Sequence, residues 1–272
     1  MSTQILDKTI SRDGTAIAYW RSGRGQGLVL VHGATADHTR WEAVRPLLEP
    51  FVTLYAMDRR GRGASGDGPA YRPAEEAYDV AAVVDAVADA TQSPVDVFGH
   101  SFGANCALEA ALLTGAMRKL VLYEPPVSVA VPPGWVARAQ ELLSQGRRDE
   151  VVVAVLAELA GLTPEQVIRS QADPSWTGRV AAAHTVVREV SAVEQRRFEP
   201  ARFAGLRVPT LVLAGADSPG ELISSAAALA AALPDAQLRT MLGQGHVAML
   251  TDPPLFVAEL LGFLHPDGTA LA

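Results

Sequence analysis

Residues 95–104 read Val-Asp-Val-Phe-Gly-His-Ser-Phe-Gly-Ala, and no other stretch says as much about the architecture. The segment begins as a short apolar strand, passes through Gly-x-Ser-x-Gly at residues 99–103, and continues into an alanine-rich helical pattern. A serine between two glycines at a strand-to-helix turn is typical of a nucleophile elbow, because a Cβ at either glycine would collide with the neighbouring strand or helix. We therefore predict that Ser101 is a nucleophile.

Two later strands end in residues that could complete a catalytic triad. The apolar run 208–214 leads to Asp217, and the run 237–242 leads to His246. Both residues lie just past the carboxyl end of a predicted strand, where open α/β sheets build their sites. A serine hydroxyl needs a base to take its proton, and a histidine base needs a carboxylate to fix its tautomer. The sequence therefore predicts His246 as the base and Asp217 as the acid.

Other carboxylates compete with Asp217 for this role. Glu124 ends the strand that follows the elbow helix, and Asp235 and Asp252 lie near the candidate histidine in the sequence. Asp217 is favoured because its Gly-x-Asp-x-Pro context is typical of a turn that presents a carboxylate. Glu124 remains the main alternative.

Strand and helix patterns alternate along most of the chain. A hairpin with its turn at Asp13-Gly14 opens the sequence. Short apolar runs then alternate with helical spacing up to Tyr123, and the alternation resumes at Thr210. This order predicts a mostly parallel sheet with helices on both faces.

Together with His-Gly-Ala at residues 32–34 and Asp-Arg-Arg-Gly-Arg-Gly-Ala-Ser at 58–65, the ordered Ser, Asp and His candidates resemble the α/β-hydrolase superfamily over nearly the whole chain. The resemblance implies an α/β fold with a mostly parallel eight-stranded sheet flanked by helices and a helical cap insertion. It also implies that the backbone N–H groups of Ala34 and Phe102 form an oxyanion hole, and that the chemistry uses neither a metal nor a cofactor.

The region between the two alternating halves differs from them. Residues 126–200 contain proline pairs and then helical patterns without a strand-like run. We expect a core domain built from residues 1–125 and 201–272, with residues 126–200 inserted as a cap over the active site. An ordinary helical subdomain that does not touch substrate is the alternative.

Several side chains could line a substrate pocket, although each could equally pack in the core or lie at the surface. His32 is expected to brace its loop by hydrogen bonds rather than to react. The candidate pocket residues are His38, Trp41, His100, Trp135, His184 and Arg188.

Composition excludes several classes of protein. The net charge of −7 without a basic patch argues against nucleic-acid binding. Cys106 is the only cysteine, so an intrachain disulfide or a cysteine metal cluster cannot form. Residues 1–20 lack a signal-peptide core, and no apolar run reaches membrane-spanning length, so we expect a cytoplasmic bacterial protein without membrane contact. The oligomeric state stays open, a homodimer included.

The residues and the resemblance together predict a serine hydrolase that cleaves a carboxylic ester, thioester or lactone of a small, apolar molecule through an acyl-enzyme. A carbon–carbon bond hydrolase or a cofactor-free haloperoxidase-like enzyme would keep the same three residues. A serine at position 101 argues against dehalogenases and epoxide hydrolases, whose relatives carry Asp there. A ligand-binding, receptor-like protein with an idle triad is the alternative from another class.

Overall fold

The architecture is an eight-stranded, mostly parallel sheet with helices on both faces, as predicted. A computed structural model describes residues 3–68, 70–195 and 197–265, so the last seven residues of the predicted core lie outside the described residues. The strands are Ile5–Ile10 (β1), Ala16–Gly23 (β2), Gln26–Val31 (β3), Val52–Met57 (β4), Val95–His100 (β5), Met117–Tyr123 (β6), Thr210–Gly215 (β7) and Ala236–Met241 (β8).

The strand order in the sheet is β1-β2-β4-β3-β5-β6-β7-β8. The predicted hairpin is present as antiparallel β1 and β2, and β2 also pairs antiparallel with β4. Every other pairing is parallel. The strand order reverses between β3 and β5, and open α/β sheets place their binding crevice outside the carboxyl ends of the strands at such a reversal.

Helices cover the two faces of the sheet with separate apolar clusters. The α-helices that the structure describes are Arg45–Leu48 (α1), Pro73–Thr91 (α2), Phe102–Ala110 (α3), Trp135–Ser144 (α4), Arg148–Ala154 (α5), Pro164–Ala172 (α6), Trp176–Ala181 (α7), Ala183–Gln195 (α8), Gly220–Ala232 (α9), Ala248–Thr251 (α10) and Pro253–Leu264 (α11). The α2, α3 and α9 side chains pack on one face, and those of α1, α10 and α11 pack on the other. Within the described ranges, no helix combines the length and the apolar character needed to cross a bilayer.

Helices α4 to α8 lie between β6 and β7, within the segment predicted as a cap. Their apolar faces form a cluster of their own around Trp135, Val151 and Val186. A π-helical turn at Val155–Leu159 follows α5, and a capping box formed by Thr163 and Gln166 starts α6. We call residues 126–200 the cap segment.

Buried ion pairs join the cap segment to the sheet. Glu189 of α8 contacts Arg59 at 2.8 Å and also Arg62, while Glu76 of α2 pairs with Arg59 at 2.7 Å. All four side chains are almost fully buried. The position of the cap segment over the sheet is therefore set partly by charge pairing, not by apolar packing alone.

Candidate active site

Ser101 has the backbone geometry of a nucleophile elbow. Its φ of 53° and ψ of −125° lie in a strained region for a residue with a side chain, directly between β5 and α3. A Cβ on Gly99 would lie 2.7 Å from Cα of Ala104, and one on Gly103 would lie 2.5 Å from the Val31 carbonyl oxygen. The two glycines are therefore required by close packing of the strand against the helix, as the sequence predicted.

The carboxylate that contacts His246 belongs to Glu124. Its Oε2 lies 2.5 Å from Nδ1 of His246, and its Oε1 accepts the Gly215 N–H at 2.6 Å. Glu124 is fully buried, and His246 is 7% exposed. A carboxylate against Nδ1 fixes the proton on that nitrogen, which leaves Nε2 as the free lone pair of the ring.

Asp217, which the sequence predicted in this role, does not contact His246, and that prediction is wrong. Its side chain is exposed. Among the described residues, Asp217 forms a hydrogen bond only through its backbone N–H, which donates to the Gln244 carbonyl at 2.9 Å. Asp217 lies two residues past the end of β7, whereas Glu124 directly follows β6 with a left-handed φ of 46°. The sharp turn at Glu124 directs its longer side chain towards the histidine.

The loop that carries His246 is held in place by neighbouring strands. Nε2 of His100 lies 2.8 Å from the His246 carbonyl, and the Tyr123 hydroxyl donates to the Gly245 carbonyl. Because a carbonyl can only accept, His100 carries its proton on Nε2, and burial lowers its pKa well below the ordinary value. His100 is therefore a neutral positioning residue at the site.

The loop after β3 lies directly against the serine. A Cβ on Gly33 would lie 2.9 Å from Cβ of Ser101, which shows how closely the two turns approach. The N–H groups of Ala34 and Phe102 donate no hydrogen bond to any residue that the structure describes. Phe102 is the first residue of α3, where an N–H has no partner within the helix. The geometry leaves both amides available, and their role as an oxyanion hole stays a prediction.

His32 braces this loop, as expected from the sequence. Its Nδ1–H donates to the Gly33 carbonyl at 2.8 Å, and its Nε2 accepts the backbone N–H of Arg59 at 3.1 Å. The ring is fully buried, and burial lowers its pKa well below the ordinary value. His32 therefore acts as a neutral structural histidine.

A cavity of about 590 Å³ opens onto Ser101 and His246. The cap segment supplies one wall and the loop after β3 another. The lining of the cavity is only partly apolar. Apolar side chains include Val155, Leu156, Leu162, Val247 and Leu250, whereas charged ones are Arg40, Arg169, Asp173 and Arg179.

Of the six predicted pocket residues, only His100 lines this cavity. His38 instead contacts Asp58 at 2.7 Å and stacks on Trp20. The tryptophans predicted for the pocket are core residues: Trp41 packs edge-on against Phe98, and Trp135 lies inside the apolar cluster of the cap segment.

The remaining two candidates lie on another surface of the cap segment. Arg188 pairs with Asp67 at 2.6 Å and lies over the Tyr71 ring, and His184 is partly exposed beside Arg148. Neither is among the residues that line the cavity. These placements correct the sequence prediction, which could not tell the inner surface of a helical insertion from its outer surface.

Arg40 and Arg179 are cavity residues that sequence reasoning missed. Arg40 lies in a short 3₁₀ helix at His38–Trp41, and Arg179 lies on α7. Both are only 8% exposed. No signal in the sequence separates a buried arginine from an exposed one, because burial depends on how the cap segment sits over the sheet.

Positive backbone φ angles mark the same edge of the sheet. Thr35, Ser101 and Glu124 have φ values of 53°, 53° and 46°, and they follow β3, β5 and β6. Strained residues with side chains persist where surrounding structure holds them, and they are often functional. Three such residues at adjacent strand ends support this edge as the functional site.

Comparison with known proteins agrees with the geometry. The alpha/beta hydrolase family profile matches residues 28–260. A curated relative, N-formylmaleamate deformylase of Pseudomonas putida, is 37% identical over 132 residues, which is 47% of this chain and 48% of that protein. The match thus spans about half the length of that relative.

Solved structures extend the likeness over almost the whole chain. An alpha/beta hydrolase from Sphaerobacter thermophilus is 35% identical with a TM-score of 0.82, covering 95% of this chain and 100% of its own. An esterase from Rhodococcus is 26% identical with a TM-score of 0.69, covering 95% and 98%. The fold, the elbow and the family profile lead to one conclusion: the chain belongs to the alpha/beta hydrolase family.

Proposed function

We propose that the protein is a serine hydrolase whose nucleophile, base and acid are Ser101, His246 and Glu124. The observation that carries the proposal is the 2.5 Å contact between Nδ1 of His246 and the buried Glu124 carboxylate, with Ser101 on the wall of the same cavity. A histidine paired with a carboxylate can take the proton of a serine hydroxyl, and His246 and Ser101 line the same cavity.

In the first half of the reaction, the Ser101 Oγ attacks the carbonyl carbon while its proton passes to Nε2 of His246. Negative charge develops on the carbonyl oxygen, where the N–H groups of Ala34 and Phe102 would stabilise it. Collapse of the tetrahedral intermediate breaks the bond to the leaving group, which takes the proton from His246. Glu124 stabilises the imidazolium throughout.

The second half releases the acyl group. Water gives a proton to His246 and attacks the acyl carbon, and collapse of this second intermediate returns the proton to the Ser101 oxygen. An ester gives a carboxylic acid and an alcohol, and a thioester gives a carboxylic acid and a thiol. A lactone gives a single hydroxy acid. The curated relative is named a deformylase, so N-formyl amides join esters, thioesters and lactones as candidate substrates.

A serine-to-alanine variant tests the proposal. Ser101→Ala should remain folded and lose turnover of p-nitrophenyl esters, and a fluorophosphonate probe should label the wild-type protein at Ser101 only. Turnover by the variant near the wild-type rate would refute the nucleophile assignment. A folded wild-type protein that is neither labelled nor active would instead favour the receptor-like alternative.

A further inference from the structure

Two buried arginines in the cavity lack carboxylate partners. The Arg40 guanidinium makes no hydrogen bond and no ion pair with any residue in the described ranges, and its Nε is buried without a partner. Arg179 donates from Nε to the Ser175 hydroxyl at 3.1 Å, but its Nη1 is buried and unpartnered. One arginine comes from the loop region after β3 and the other from the cap segment, so the two flank the cavity from different parts of the fold.

The other buried arginines of the described chain are all paired. Arg45, Arg59, Arg60 and Arg62 each lie within 4 Å of at least one carboxylate. Burying a cation without a partner is costly, so a protein that pairs its other buried arginines has a reason to leave these two free. A ligand that brings the missing negative charge supplies such a reason.

The electrostatics of the cavity favour an anion. Burial and the neighbouring charge of Arg179 lower the pKa of Arg40 to about 9, so it remains protonated at neutral pH. Arg169 adds a third cation at the exposed part of the wall, and Asp173 is the one carboxylate among the cavity-lining residues that the structure describes. The negative charges of Asp173 and Asp37 favour the protonated form of Arg40 through space, although neither carboxylate forms an ion pair with it.

We propose that Arg40 and Arg179 bind a carboxylate group carried by the substrate, so that this hydrolase acts on esters or related acyl compounds of an anionic molecule. The reaction in this inference rests on the proposed function. The binding of a carboxylate by the two arginines does not depend on it. A planar guanidinium matches a carboxylate through two parallel hydrogen bonds, which orients as well as binds the group. The apolar wall of Val155, Leu156 and Leu250 would contact the hydrocarbon between the carboxylate and the scissile bond.

Matched substrates test the selectivity. Wild-type protein should hydrolyse monomethyl succinate, glutarate or adipate with a higher kcat/KM than the neutral methyl ester of the same chain length. Arg40→Gln and Arg179→Gln should each raise KM for the preferred half-ester by about 10- to 100-fold, the scale of a lost charge-assisted hydrogen bond. KM for the neutral esters should rise less than KM for the half-ester, because the neutral esters lack the charge that the two arginines bind.

Two further variants separate charge recognition from structure. Arg138→Gln removes an arginine from an exposed pair with Glu158 on the cap segment, outside the cavity, and should leave selectivity unchanged. Arg40→Lys keeps the charge and should recover part of the affinity for half-esters. A fall in kcat for neutral and anionic esters alike in both glutamine variants would overturn the proposal, since it would place the arginines at the reacting carbonyl.

A binding experiment distinguishes failure of this inference from failure of the proposed function. Glutarate binding to Ser101→Ala should be detectable by calorimetry and should be lost when Arg40→Gln is added to the same variant. Binding that is absent, or unchanged by Arg40→Gln and by Arg179→Gln, would refute the anion site even if the enzyme hydrolyses neutral esters. Arginine-dependent binding by a protein without esterase activity would support the anion site and refute the proposed reaction.

Discussion

Glu124 joins the imidazole of His246 to the backbone N–H of Gly215, at 2.5 Å and 2.6 Å. Both carboxylate oxygens are therefore engaged, and the side chain is fully buried. The amide comes from the last residue of β7, so the orientation of the histidine depends on the sheet itself rather than on its own loop alone.

The first prediction concerns the acid. Glu124→Gln should lower kcat by about 10⁴-fold, as when a triad carboxylate becomes an amide and the histidine takes the wrong tautomer. Asp217→Asn, which changes an exposed side chain, should leave kcat near the wild-type value. Steady-state hydrolysis of an activated ester measures both, and the reverse ranking of the two variants would reassign the acid.

The second prediction concerns the loop after β3. Gly33→Ala should reduce kcat by about 10²- to 10³-fold, because a Cβ only 2.9 Å from that of Ser101 would push the Ala34 N–H away from the developing oxyanion. Gly205→Ala is the matched control, since its Cβ would meet no atom within 4 Å. Wild-type turnover by Gly33→Ala would show that this loop does not position an oxyanion donor.

The third prediction concerns attachment of the cap segment. Glu189→Gln should lower the free energy of unfolding by about 3–5 kcal/mol, because it leaves Arg59 and Arg62 buried with too little negative charge. Glu158→Gln breaks only an exposed pair with Arg138 and should have little effect. Urea unfolding of the two variants provides the comparison, and equal stability would mean that the buried pairs do not hold the cap.

The fourth prediction concerns pH. Burial lowers the pKa values of His32 and His100 well below the ordinary 6.5, so the unfolded chain binds protons that the folded chain does not. The two histidines should therefore not reduce the free energy of unfolding above pH 6.5. Below pH 6.5 the free energy of unfolding should fall, by up to about 1.4 kcal/mol per pH unit for each histidine. Urea unfolding between pH 7.5 and 5.0 measures the slope.

A variant isolates the contribution of one histidine to this slope. His100→Gln keeps a donor for the His246 carbonyl but cannot be protonated, so its stability should fall less steeply over the same pH range. A slope equal to that of the wild type would show that His100 does not contribute to it.

The sequence by itself determined the sheet, the elbow at Ser101 and the order of strands and helices along the chain. Alternating apolar runs and helical spacing are local patterns, and the glycines around Ser101 are needed for a turn that forms within a few residues. For the same reason the sequence located His246 and the loop at residues 32–34. Each of these features depends on near neighbours in the chain.

Only the tertiary structure decided which carboxylate meets His246 and which side chains line the cavity. Glu124 and Asp217 both follow parallel strands, and the difference between them is the direction of one turn and the reach of one side chain across the sheet. Arg40 and Arg179 line the same cavity because tertiary folding brings the cap segment and the loop region after β3 together, although the two residues are distant in sequence. Such contacts depend on packing between elements, and local sequence patterns do not encode it.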